Sequence, residues 1–527
     1  RLLVILYSYK IDIILVELYI YSNLDQQKGL VYIMEKSKKI NVNGLILMIF
    51  GSIFGFANTT IAFYLMGYAS IIWYILAAIF FFLPTSLMFA EYGSSLKEAR
   101  GGLYSWLEAS IGKKAAFIGT FIWLASWIVW MVSTAAKVWI PFSTFLQGSD
   151  QTTTWHFIGL NGTQVVGVLG VLWILALTFL SSRGIDKIQK FASFSGMAVA
   201  FLFAAFLVIS LAIWFKTGFK LAEPIHGVTT FVKSPMASYQ SPIGMLSFVV
   251  FSIFAYAGME TMGGVTDSMD HPEKTFPKGL MIATAFITLI YAIAIFMWGI
   301  STNWHQVLGG DKANMGNITY VLMQNLGYQF GHAFGMSTTA AVGIGTLFAR
   351  ITGLIMFISY LGAFAVLIYS PLKSFVLGTP KALWPKGFAE VNKHGMPEKA
   401  MWAQAVLVCL LIAVISFGGK AASEFYNVLT LMSNVSTSLP YLFLVTAFPY
   451  FKARKDLERP YEFFKTKASV QAVTIVVDLV LVFGIAFTIV QPMLEGSYMD
   501  AFWMVIGPIV FAIMAIALYH RYQKKVA

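Results

Sequence analysis

Twelve stretches of about 20 apolar residues divide this chain, a series that no soluble fold accommodates. They lie near 44–66, 70–91, 115–142, 163–181, 191–215, 243–267, 280–300, 341–370, 401–418, 425–449, 468–491 and 501–520. Each has the length an α-helix needs to cross about 30 Å of hydrocarbon. Composition agrees: of 527 residues, 58% are hydrophobic and 11% charged, too few charges to clothe a soluble protein of this size. The expected class is therefore an all-α polytopic membrane protein with 12 transmembrane helices. A single cysteine, Cys409, leaves no disulfide framework and no Cys-based metal site.

Charge then assigns sides. Of the 36 Lys and Arg, 26 fall in the termini and alternate connections on the side of residues 34–43. Five fall on the other side: Lys216, Lys220, Lys233, Lys312 and Lys420. This is the positive-inside pattern, and it predicts both termini in the cytoplasm of a bacterial inner-membrane protein. The same asymmetry explains the net charge of +12 without any nucleic-acid partner. The stretch 1–33 is apolar but interrupted by Lys10, Asp12 and Glu17, and it lacks a cleavage site. The expectation is that translation starts at Met34, so that 1–33 is upstream sequence, with an interfacial helix as the alternative. Residues 34–527 are expected to form one membrane domain.

Two spans carry residues that lipid disfavours. The first contains FGSIFGFANTT (50–60), with Gly51 and Gly55 ahead of Asn58, Thr59 and Thr60. The sixth contains FSIFAYAGMETMGG (251–264), with Gly258, Gly263, Gly264 and the acid Glu260. They stand five spans apart, and an odd number of spans per repeat makes the second copy enter the membrane from the opposite side. Matched interruptions in two such copies point to an inverted-repeat transporter, with repeats near 44–215 and 243–449 and extra helices near 468–520. Unwound backbone persists in a bilayer only where it lines a polar cavity. There, freed N–H groups attract a carboxylate and freed carbonyls an ammonium, the two groups of an α-amino acid. Glu260 has three possible roles: partner to a substrate amine, carrier of a coupled proton, or structural partner to backbone N–H groups. Single interruptions also arise from close helix packing. The other charges within spans have blander readings: Asp478 structural or interfacial, Lys137 reaching outward, Arg350 at the outer mouth or at headgroups.

At these residues the chain resembles the amino acid–polyamine–organocation superfamily, within it the glutamate/γ-aminobutyrate antiporter branch. The resemblance runs from about Asn41 to Tyr522 and is carried by four stretches. These are FGSIFG in the first span, FLPTSLMFAEYGSSLKEARGGLYSWLEASIG (82–112), FSIFAYAGMETMGGVTDSMDHPEKTFPKG (251–279) and SPLKSFVLGTPKALWPKGFAEVNKHGMPEKAMWAQ (370–404). It implies a five-plus-five inverted-repeat core with two further helices. It also implies a first-span substrate loop of Gly51, Ser52, Gly55, Phe56, Ala57, Asn58 and Thr59. The matching sixth-span loop is Phe254, Ala255, Tyr256, Ala257 and Gly258, with Phe254 as a gating aromatic and Glu260 as the acid of proton coupling. The exchangers' Tyr-Glu-Tyr-Pro run is here Asn58, Thr59, Thr60 and Ile61, and their eighth-span acid is here Ala363. Both departures weigh against glutamate as the substrate. With Ser359 as thin support for a sodium site, proton coupling or plain exchange is expected.

The expected function is secondary active transport of amino acids or related amines by alternating access, as an antiporter or proton-coupled symporter. The small-molecule substrate, a proton and membrane lipid are its expected partners. A non-transporting sensor or subunit with the same fold is the alternative. No cofactor, metal or catalytic residue is expected. The seven histidines lack ligand spacing, and no phosphate-binding G-x-x-x-x-G-K loop occurs.

Overall fold

The computed structural model of the chain describes residues 39–526, apart from residues 98, 100, 311–312, 420–427, 429–430 and 433–434. The segment 1–33 and the expected start at Met34 lie outside the described residues. Among the described residues no strand forms; only isolated bridges pair Ile40 with Met269 and Phe157 with Leu160. Eleven segments there are long and apolar enough to cross a membrane. Numbered by their place among the twelve expected spans, they are 1 (Val42–Met66), 2 (Ala69–Ser95), 3 (Lys113–Gln147) and 4 (Gly162–Ser181). Then come 5 (Ile185–Lys216), 6 (Pro242–Ser268), 7 (Pro272–Ser301) and 8 (Thr338–Val376). Last are 9 (Glu398–Phe417), 11 (Lys467–Leu494) and 12 (Tyr498–Gln523). The expected tenth span falls partly outside the described residues, and its described helix is Leu439–Ala453.

Local chemistry sets the ends. The Asn41 side chain accepts from Gly44 N–H at 2.8 Å to start span 1, and Asn161 with Gln164 forms a reciprocal cap on span 4. Span 8 runs 39 residues, well beyond the 341–370 expected from hydropathy, because Ser337 caps it early and Pro371 is absorbed near its end. Span 3 bends at Val138, where a second helix, Trp139–Gln147, begins with Pro141 in its first turn. Span 2 carries a π-helical turn, Ala78–Phe82.

Burial separates core from rim. Spans 1 and 3 have 61% of their most apolar stretch buried within the protein, spans 11 and 12 only 28%, so lipid solvates the latter pair. The interior closes on small residues. A methyl group on Gly196 of span 5 would lie 2.2 Å from the Leu47 carbonyl of span 1. One on Gly362 of span 8 would lie 2.5 Å from the Ser195 side chain. Both contacts follow the close-approach rule for helices in lipid.

Successive connections alternate between the face holding Asn41, here the N-terminal face, and the opposite face. The helix Leu103–Ile111 follows span 2 and packs Trp106 on Gly263 of span 6. The helix Ile318–Ala333 follows span 7, and its Thr319 hydroxyl meets that of Thr60 in span 1 at 2.8 Å. Each repeat thus supplies a short helix that closes over the other repeat's interrupted span, at opposite faces. The fold is a five-plus-five inverted repeat with spans 11 and 12 outside it.

Candidate substrate site at two interrupted helices

Both interruptions are present, and they face each other. Span 1 is helical over Val42–Ile53 and again over Phe56–Met66; between them Phe54 and Gly55 are extended, with ψ 102° at both. The second helix has no capping side chain, so its first N–H groups face the gap. Span 6 is helical over Pro242–Phe254, turns through Ala255–Gly258, and resumes as a 3₁₀ segment, Met259–Ser268. Gly258 is the residue that permits this turn: its φ of 118° lies in the left-handed region that side chains resist. A methyl group there would stand 3.6 Å from Ile53 Cγ1 and 3.9 Å from the Ser52 carbonyl, so the two gaps are in contact. Gly263 and Gly264 serve a different purpose. They allow Trp106 and Ser370 to approach, at 2.9 and 2.1 Å from an added methyl group.

Tyr291 of span 7, buried with 0% exposure, joins the two gaps. Its hydroxyl accepts from Gly55 N–H at 3.1 Å and from Asn58 Nδ2 at 3.3 Å. It also lies within donating distance of the Ile53 and Ala255 carbonyls, at 3.5 and 3.4 Å. One hydroxyl thereby serves backbone from both broken helices. Around it, Phe54, Tyr74 and Tyr256 stand 4.8 to 5.3 Å away, ring centre to ring centre. The π-helical turn of span 2 aims Phe82 at Tyr256 (4.5 Å) and its neighbour Phe81 at Tyr441 (5.4 Å).

Glu260 is 1% exposed and fully engaged. Trp123 Nε1 of span 3 donates to Oε1 at 3.2 Å, Gly258 N–H donates to Oε2 at 3.1 Å, and the Tyr441 hydroxyl donates to Oε2 as well. Gly258 N–H also reaches the Tyr441 oxygen at 2.7 Å. Three donors from three elements thus converge on one buried acid.

The remaining expected residues divide. Ser52 keeps a buried hydroxyl without a protein partner, and the Asn58 side chain turns to Tyr291. Ala57 is partly buried and offers its carbonyl to Thr60, while Ala255 and Tyr256 form the turn itself. Other residues face elsewhere. Gly51 lies within the first helix and packs on Ala192 and Gly196, Phe56 stands edge-on to Phe206 and Trp298, and Thr59 accepts from Trp298 Nε1 at 3.1 Å. Phe254 points to span 11, 3.4 Å from a methyl group on Gly484. Arg350 and Lys137 are exposed, and Asp478 accepts from the Thr446 hydroxyl at 3.1 Å. Tyr291 and Tyr441 are the residues that the sequence reading missed. The signal available was weak: single polar aromatics within apolar runs. A cavity of about 240 Å³ lined by Gln324, Asn325 and Tyr328 lies elsewhere, beside the first turns of span 8.

Beneath span 6, toward the N-terminal face, the groups are charged. Asp267 pairs with buried Lys373 of span 8, and the Ser370 hydroxyl donates to the Thr261 carbonyl. Ile40 bridges to Ser268 and Asp270, which ties the start of span 1 to the end of span 6.

Comparison with known proteins agrees with this geometry. An amino acid permease family model matches residues 40–518. A protein named inner membrane transporter YjeM from Salmonella typhimurium is 52% identical over 491 residues, 93% of this chain and 97% of that protein. Its namesake from Escherichia coli is 51% identical over the same shares. An aspartate/glutamate permease, AcaP, from Lactococcus lactis is 21% identical over 434 residues, 82% of this chain and 83% of that one. The chain belongs to the amino acid permease family, a family of membrane transport proteins and not of enzymes.

Proposed function

We propose that this chain is a secondary active transporter of an amino acid or a related amine, working by alternating access as an antiporter or a proton-coupled symporter. The observation that carries this is the opposed pair of interruptions at 54–55 and 255–258, bridged by one tyrosine hydroxyl. Opposed half-helices present N–H groups to a carboxylate and carbonyls to an ammonium at one place. In this reading the substrate displaces the Tyr291 and Asn58 contacts and takes over the main-chain groups they satisfy, drawing also on Ser52, Gly55, Ala57 and the turn 254–258. Glu260 is the proton-coupling group: it lies in the 3₁₀ segment just after the turn and accepts from Gly258 N–H, so its protonation changes the hydrogen bonds that hold Gly258. The repeats span about 44–215 and 243–449. The basic connections support cytoplasmic termini, and the names of the closely similar relatives support an inner-membrane location.

Counterflow tests the proposal. Purified protein in vesicles preloaded with an unlabelled amino-acid mixture should accumulate a labelled member of that mixture. No accumulation of any amino acid or amine would refute transport. Glu260→Gln should abolish or greatly flatten the pH dependence of the flux, and an unchanged pH–rate profile would remove Glu260 from coupling.

A further inference from the structure

The charges around the two gaps narrow the substrate. Among the described residues, the buried charged side chains are Glu91, Glu260 and Lys373. Glu91 lies near the N-terminal-face end of span 2 and is held by Lys452; Lys373 lies near the same end of span 8 and is held by Asp267. The two cations inside the twelve expected apolar stretches, Lys137 and Arg350, are exposed. Lys137 ends its helix, and Arg350 stands beside Gly148, 3.5 Å from an added methyl group, at the opposite face. Among the described residues, Glu260 is thus the buried acid beside the two gaps, Asp478 of span 11 being turned to Thr446, and the other side chains around Tyr291 are neutral. They are the rings of Phe54, Tyr74 and Tyr256 around that of Tyr291.

This inventory has a sign. A substrate's α-carboxylate has main-chain N–H groups to receive it, but a second carboxylate on its side chain would find no cation. It would also stand near Glu260, a like charge in a medium that screens poorly. A cationic side chain fares little better, because Trp123, Tyr441 and Gly258 already occupy Glu260. We propose that the site selects amino acids with uncharged side chains and rejects their acidic and basic counterparts of equal size. This rests on the transport reading above and adds the substrate class to it.

Pairs matched in shape separate charge from size: glutamine against glutamate, asparagine against aspartate, norleucine against lysine. Full-length protein is measured twice at pH 7, for ligand-induced thermal shift in detergent and for counterflow in vesicles. In each pair that acts at all, the uncharged member should bind and exchange at least about tenfold better. An acid that equals its amide, or lysine that equals norleucine, would overturn the selectivity while leaving transport intact. Binding of the uncharged members without counterflow would uphold the selectivity and sink transport. Neither binding nor counterflow by any member would overturn both.

Discussion

At the scale of residues, the account turns on Gly258 and Tyr291. Gly258 holds a backbone conformation that costs a side-chain-bearing residue about 1–2 kcal/mol, and its missing Cβ faces Ser52 and Ile53 of the other gap. Gly258→Val should therefore abolish substrate binding, measured as the loss of ligand-induced thermal shift. Binding that survived would remove 254–258 from the site. Tyr291→Phe keeps the ring and deletes the hydroxyl that receives Gly55 N–H and Asn58. Leaving such groups without a partner costs about 1–3 kcal/mol, so stability should fall by that order, and transport should fall more than stability. Equal losses of both, measured by thermal unfolding and counterflow, would make Tyr291 a structural residue only.

At the scale of elements, the connection 454–466 is a folded cap and not a loose basic loop. Glu91 of span 2, with 0% exposure, accepts from Lys452 Nζ at 2.7 Å and from the N–H groups of Phe463 and Phe464 at 2.9 and 2.8 Å. Arg459 donates to the carbonyls of Phe451, Lys452 and Arg454, closing the end of the helix Leu439–Ala453. Glu91→Ala would strand two N–H groups and leave Lys452 to Glu462 alone, at a cost of about 1–3 kcal/mol for each unpaired group, and should lower the melting temperature of purified protein markedly. The hydrogen bond from Lys452 holds the Glu462 carboxyl below the usual range. A lowered folded value means that its stabilising effect is complete above about pH 4.3 and is lost as pH falls through the folded value. The melting-temperature difference between wild type and Glu462→Gln should therefore shrink on acidification below pH 4; a difference that persisted there would contradict the pairing. From the sequence, these basic residues are legible only as a charge bias. The buried partner that anchors them, Glu91, lies more than 350 positions from Lys452. The interruptions, by contrast, are legible because glycine and polar residues within an apolar run are local signals. What fills them is not, because Trp123, Tyr291 and Tyr441 arrive from other spans. Phe254 shows the same limit: its place in the loop is legible, but its direction toward Gly484 is set by the packing of span 11.

At the scale of the whole molecule, the short helices after spans 2 and 7 close over spans 6 and 1 at opposite faces. Ile40, bridged to Ser268 and Asp270, ties the start of span 1 to the end of span 6. The central claim is that an amino acid is held by main-chain groups of both gaps together. Hydrogen–deuterium exchange of the vesicle-embedded protein, with and without the amino acid that counterflow identifies, tests it most directly. The account predicts that peptides covering 52–58 and 254–261 slow together on adding the substrate, while peptides from 467–494 keep their rate. Protection confined to one gap, or to neither, would contradict it.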